Sequence, residues 1–184
     1  MALKTNIQDV LTRLAGVYTT TQDTLAIHLS PRVWNDQLGR LRNGDGYTFQ
    51  VPAVFVETIA NENEHSHIGQ GITAIPLIFR LHLVHEHMNT EGSFDEDLAV
   101  FDLRDKVVRR MRGFKPTHCA PVQKVSEGID YDHDNYYHYT IDYRTEMLDI
   151  TGSDQDTEMG LYTQTEPPIA LELDVQKVDS TNDL

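Results

Sequence analysis

Between Ser93 and Phe114, apolar residues return at spacings of three and four: Val100, Leu103, Val107 and Met111, with Phe101 and Val108 beside them. This is one face of an amphipathic helix. Asp102, Asp105, Lys106 and Arg109 fill the opposite side, and Arg104 alone falls within the apolar stripe. Both ends are written in the chain. Ser93 and Glu96 have the spacing of a capping box. Asp95, Glu96 and Asp97 in the first turn, and Arg109, Arg110 and Arg112 in the last, suit the helix dipole. Gly113 offers a left-handed stop, and Pro116 forbids continuation.

A second helical pattern, Ile7, Val10, Leu11 and Leu14, predicts about three turns ending near Gly16. The remaining periodicity is that of strands. Thr24 to Leu29 alternates and is stopped by Pro31. Trp34, Leu38 and Leu41 predict a helical turn before the loop Asn43-Gly44-Asp45-Gly46, with Trp34 as a core anchor. Val51 to Ile59 predicts a strand with Val51, Ala53, Phe55 and Ile59 on one side and Glu57 interrupting the row. Pro52 places its start at an edge or strand entry. The polar stretch from Ala60 to Gly71 reads as an exposed loop. The longest strand, Leu77 to His87, puts Leu77, Phe79, Leu81 and Leu83 on one face. Ile78, Arg80, His82, Val84 and Glu86 take the other, so one face belongs to the core. Val122 to Ile129 and Tyr136 to Met147 predict two further strands joined by a hairpin over Asp130 to Asn135.

These elements predict an α+β domain over residues 1–150: an antiparallel sheet of four to five strands with two main helices on one face. Residues 151–184 form an arm. Its first part is rich in Thr, Asp, Gly, Glu and Pro, and a short strand over 169–175 follows. There Ile169, Leu171, Leu173 and Val175 share a face. A lone apolar strand beyond a polar linker needs a sheet edge, in its own subunit or a neighbour's.

Charge narrows the function classes. Acidic residues outnumber basic ones 29 to 15, for a formal net charge of -14. A nucleic-acid-coating role needs the opposite balance, although an acidic wall would let DNA pass without adhering. The single cysteine, Cys119, excludes an intrachain disulfide framework. The start has no apolar signal core, and no run approaches membrane-spanning length, so a reducing cytoplasm is expected.

The chemistry-bearing residues are sparse in pattern. Nine histidines invite a metal reading. His85 and His87 share a strand face, His82 lies nearby on the other, and His65 and His67 form a second pair. Zinc would still need ligands that no familiar spacing supplies, and an exposed strand end accounts for His85 and His87 more simply. Asp130, Asp132 and Asp134 lack the glycine and terminal glutamate of a calcium loop. No Gly-x-Ser-x-Gly, phosphate-cradling loop or nucleophile–base set is present. The reading therefore assigns no catalytic, cofactor-binding or metal-ligating residue. Arg80 and Arg104 are long cations beside apolar surface; they snorkel to solvent or pair across a subunit interface. With Ile169, Leu171, Leu173 and Val175 they are the interface candidates.

Several local sequences are familiar together. Val51-Pro52-Ala53-Val54-Phe55-Val56-Glu57 precedes the central strand. Phe101-Asp102-Leu103-Arg104-Asp105 lies in the capped helix, and Gly113-Phe114-Lys115-Pro116 follows it. Asp130 to Tyr143 is an acidic turn and a tyrosine-rich strand. From Lys4 to Asp149 the chain resembles the tail terminator, or tail completion, proteins of long-tailed bacteriophages and prophages, including those of Mu-like contractile tails. The resemblance implies a virion protein that forms a ring, usually a hexamer, on the last ring of the tail tube. Such a ring stops tube growth and gives the head connector its docking surface. The implied partners are further copies of the chain, the tail tube protein and the connector or neck protein. DNA would pass through the lumen unbound, with no cofactor and no membrane. Another neck or head–tail joining protein of the same fold is the near alternative. A metal-binding module or enzyme using His82, His85 and His87 is the alternative of another class.

Overall fold

A computed structural model describes residues 2–20, 26–43, 48–60, 65–69, 72–86, 98–130 and 136–150. Its centre is the strand β6 (Ile72–Glu86), which lies between β4 (Ala53–Ala60) and β8 (Tyr136–Asp149), antiparallel to both. β7 (Gln123–Asp130) pairs antiparallel with β8 on one flank. The two-residue strand β3 (Arg32–Val33) pairs parallel with β4 on the other. The order is thus β3-β4-β6-β8-β7, with β5 (Ser66–Gly69) joined to the early part of β6. A separate antiparallel ribbon links β1 (Tyr18–Thr20) to β2 (Ala26–His28).

The α+β class therefore holds, with a sheet one strand larger than expected. The extra strands are short. β5 lies inside the stretch read as loop, and Ser66, His67 and Ile68 are exposed, so no apolar alternation marked it. β3 is two residues long, below any periodicity.

The helices α1 (Ala2–Ala15) and α3 (Ala99–Met111) cover one face of the sheet, while α2 (Gln37–Arg42) is a short turn on the other side of the chain's path. Val10 and Leu14 of α1, and Val100, Leu103, Val107 and Met111 of α3, are buried against Val54, Val56, Leu77, Phe79, Leu81, Leu83, Ile141 and Tyr143. Each such side chain contributes about 1.5–3 kcal/mol on burial. α3 begins at Ala99, with Leu98 at the N-cap position making no side-chain cap bond. The capping box at Ser93 and Glu96 lies outside the described residues, as do His87, the hairpin residues 131–135 and the arm with Ile169, Leu171, Leu173 and Val175. The other end is as expected: Gly113 takes φ +65° and the Phe114 N–H donates to Met111 O at 3.1 Å.

Side chains lock the helix layer to the loop after α3. The Asn6 Oδ1 accepts from the His118 N–H at 3.0 Å, and the Asp9 Oδ2 accepts from both the N–H and hydroxyl of Thr117 at 2.8 and 2.7 Å. The two helix C-termini exchange bonds: the Arg13 guanidinium donates to Arg110 O at 2.8 Å, and that of Arg110 to Arg13 O at 2.9 Å. No helix among the described residues is long and apolar enough to cross a membrane.

This packing separates two neighbours on α3. Leu103 is buried and Phe101 is exposed. Leu103→Ala should cost about 2–5 kcal/mol in urea unfolding, and Phe101→Ala less than half as much. Equal losses would contradict the face assigned to α3.

Candidate functional site

The polar row of β6 faces away from α1 and α3; His82 and Val84 are buried there, while Ile78 and Arg80 are half-buried. The segment that carries β3 turns back through Trp34, whose N–H donates to Val56 O at 2.9 Å. Gln37 knits this turn: its amide nitrogen donates to Val33 O and its oxygen accepts from the Asn35 N–H, both at 2.8 Å. The Trp34 ring then lies flat on His82, with centroids 3.9 Å apart and planes 3° from parallel. Around it Phe55, Ala53, Leu38 and Val84 form a small second core, with Phe49, Val51 and Tyr136 at its margin. Trp34 does anchor a core, but on the face expected to be polar.

Under Trp34 lies a row of four titratable groups from four strands. Glu57 (β4) meets His82 Nε2 at 3.1 Å; His82 Nδ1 (β6) meets His138 Nε2 (β8) at 2.8 Å; His138 Nδ1 meets Asp130 (β7) at 3.1 Å. Both imidazoles are buried, while Glu57 and Asp130 reach the rim. Burial is the main reason that the His82 pKa falls from 6.5 to about 3, with His138 and Arg80 adding to the effect. His82 is therefore neutral at ordinary pH.

Beside this row, Arg80 forms a two-pronged pair with Asp142 at 2.8 and 3.0 Å, and the Ser126 hydroxyl donates to the same carboxylate at 2.8 Å. The hydrogen bond from Arg80 holds Asp142 below the usual carboxylate range, and the Asp142 bond raises Arg80. Glu57 lies 3.9 Å from Arg80 on the other side. On the helix face, Arg104 is held by Glu127 at 2.6 Å and by Asp105 at 2.7 Å. The hydrogen bond from Arg104, helped by one from Lys124, takes Glu127 from 4.5 down to about 2.

Both arginines singled out as interface candidates thus pair within their own chain. Among the described residues, the histidines singled out for a metal do not converge. His82 and His85 lie on opposite faces of β6, and His65 and His67 sit apart, with His67 meeting Thr73 at 3.3 Å. Among the described residues, no group of three or more His, Cys, Asp or Glu is placed to hold a metal. The 2.8 Å between the His82 and His138 nitrogens is a ring-to-ring hydrogen bond. Two nitrogens on one tetrahedral zinc would stand about 3.3 Å apart, given Zn–N bonds of about 2.0–2.1 Å.

No family model matches this chain, and no curated protein does either.

Chemically, the row can hold and share a proton, but nothing beside it is set up as a nucleophile. The Ser126 hydroxyl serves Asp142 rather than an imidazole. Cys119 is buried elsewhere, and burial pushes its thiol up to about 11, so it stays protonated. His138, the residue that completes the row, drew no attention in the sequence. The signal available was its place in the polar alternation of β8, opposite the row of β6.

The Arg104–Glu127 pair yields a pH test. Glu127 is depressed in the folded state, so its stabilisation is full above pH 4.5 and is lost as pH falls toward 2. Glu127→Gln should lower thermal stability at pH 7, and its gap to the parent should close between pH 4.5 and 2. A gap that persists unchanged at pH 2 would contradict the pairing.

Proposed function

We propose that this chain is a structural protein of a phage virion: a ring-forming tail terminator that caps the tail tube and presents a docking surface to the head connector. The observation that carries this reading is the outer edge of the sheet. β7 pairs only with β8 among the described residues, and most of its side chains are exposed, Val125 among them. Unpaired strand edges recruit other strands. The chain itself supplies a stretch of alternating apolar residues, Ile169 to Val175, beyond a polar segment. Addition of that stretch to the β7 edge of the next subunit would close copies into a ring.

Two further features fit. The element order, with helices on one face of a largely antiparallel sheet, agrees with the fold that the resemblance implies. The net charge of -14 suits a lumen through which DNA slides without sticking. In this reading the partners are other copies of the chain, the tail tube protein and the connector. The protein acts in the virion after assembly in the bacterial cytoplasm, and it performs no reaction.

Light scattering and negative-stain imaging of the purified chain, alone and with tail tubes, test the proposal. The expected outcome is a closed ring of defined size, formed in solution or on tube ends. A monomer that ignores tubes would contradict it. Removal of residues 151–184 should leave the unfolding temperature within a few degrees and abolish the ring. Rings formed unchanged by the truncated chain would exclude the arm as the subunit link.

A further inference from the structure

The C-terminal ends of α1 and α3 concentrate positive charge on an otherwise acidic chain. Two adjoining hollows there share Arg13 and Arg110; Lys106 and Arg109 line one, and Lys115 lines the other. These are five of the 15 basic residues. Arg13 and Arg110 donate hydrogen bonds to backbone carbonyls, and neither forms an ion pair among the described residues. Arg109 and Lys115 are exposed and form no ion pair among the described residues. The one carboxylate lining these hollows, Asp9, is already held by Thr117. Basic side chains at helix C-termini complement the dipole, but two helix ends account for only part of such a cluster.

We infer that this basic end is the docking surface for the acidic opening of the arm that follows β8 in the same molecule. Three observations support that occupant. Residues 151–184 hold eight acidic residues against one lysine, and Asp154, Asp156 and Glu158 come first. β8 ends beside the patch: the Leu148 N–H donates to His118 O at 2.8 Å, and His118 is three residues from Lys115. The reach is sufficient, since four to eight extended residues beyond Ile150 span up to about 14–28 Å. Attachment to the same chain also raises the local concentration of these carboxylates above that of any free partner. Arginine is well suited to take carboxylates in pairs. The inference does not depend on the ring: it concerns where the arm starts, and the stretch at 169–175 stays available to a neighbour.

A nitroxide attached at Thr157→Cys tests it on the full chain, since Cys119 is buried and unreactive. At low salt, the amides of Arg13 and of residues 109–115 should lose most of their intensity. They should recover at 1 M salt, where screening acts within about 3 Å. Arg109→Glu with Lys115→Glu should abolish the broadening. Adding Asp154→Lys, Asp156→Lys and Glu158→Lys should restore it. The triple lysine variant alone leaves the described fold untouched and should also lose it. Broadening centred elsewhere, or insensitive to salt and to these charges, would overturn the inference. Equal broadening of isotope-labelled chains by separate spin-labelled chains would place the arm on another copy and overturn the same-molecule assignment. Rings that form normally while the broadening is absent would sink this inference and leave the proposed function standing.

Discussion

Around His82 and Val84 the strand β6 is buried on both faces, and that constraint organises the molecule. A strand covered on one side can leave its polar row to water. At His82 β6 cannot, because Trp34 closes over that part of the row that faces away from the helices. Each polar group there must find its partner within the protein or cost the full desolvation of an unmet donor or acceptor. His82 finds His138 and Glu57, and Arg80 finds Asp142. The partners come from β4 and β8, the two strands that flank β6. A shift of register by one residue would turn every one of these side chains to the wrong face. The polar row therefore specifies the pairing of the sheet as strongly as the apolar row does.

With the helix face and the middle of the second face occupied, the surfaces left for contact include edges and ends. One edge of the sheet is β7, with its exposed Val125. One end of the helix layer is the basic cluster around Arg13 and Arg110. The network beneath Trp34 has the groups of an acid–base site, yet it is spent on internal contacts.

How much of this was legible in the sequence depended on the distance between cooperating residues. The row Leu77, Phe79, Leu81 and Leu83 announces β6 through alternation alone, and Val100, Leu103, Val107 and Met111 announce α3 through helical spacing. Gly113 announces the end of α3. Local rules suffice in each case. The meeting of His82 and His138 is different. It joins residues 56 positions apart, on a diagonal that exists only once the register of β6 and β8 is set. Arg80 and Asp142, directly opposite in that register, and Arg104 and Glu127 likewise meet only in the fold, so both arginines looked like interface residues while they were viewed alone. Trp34 reads as a core residue from its type, but its choice of face depends on β3 pairing parallel with β4 over only two residues. β5 escaped notice because Ser66, His67 and Ile68 are exposed and show no apolar alternation.

The covered middle of the second face is the claim on which this account rests, and His82 reports on it directly. Its ring nitrogens can be followed by long-range nitrogen–proton NMR from pH 7.5 to pH 3. A ring buried under Trp34 and bonded to His138 and Glu57 should stay neutral until pH falls to about 3. Titration of His82 near its ordinary 6.5, with the shifts of a solvated imidazole, would show the face to be open and would contradict the account.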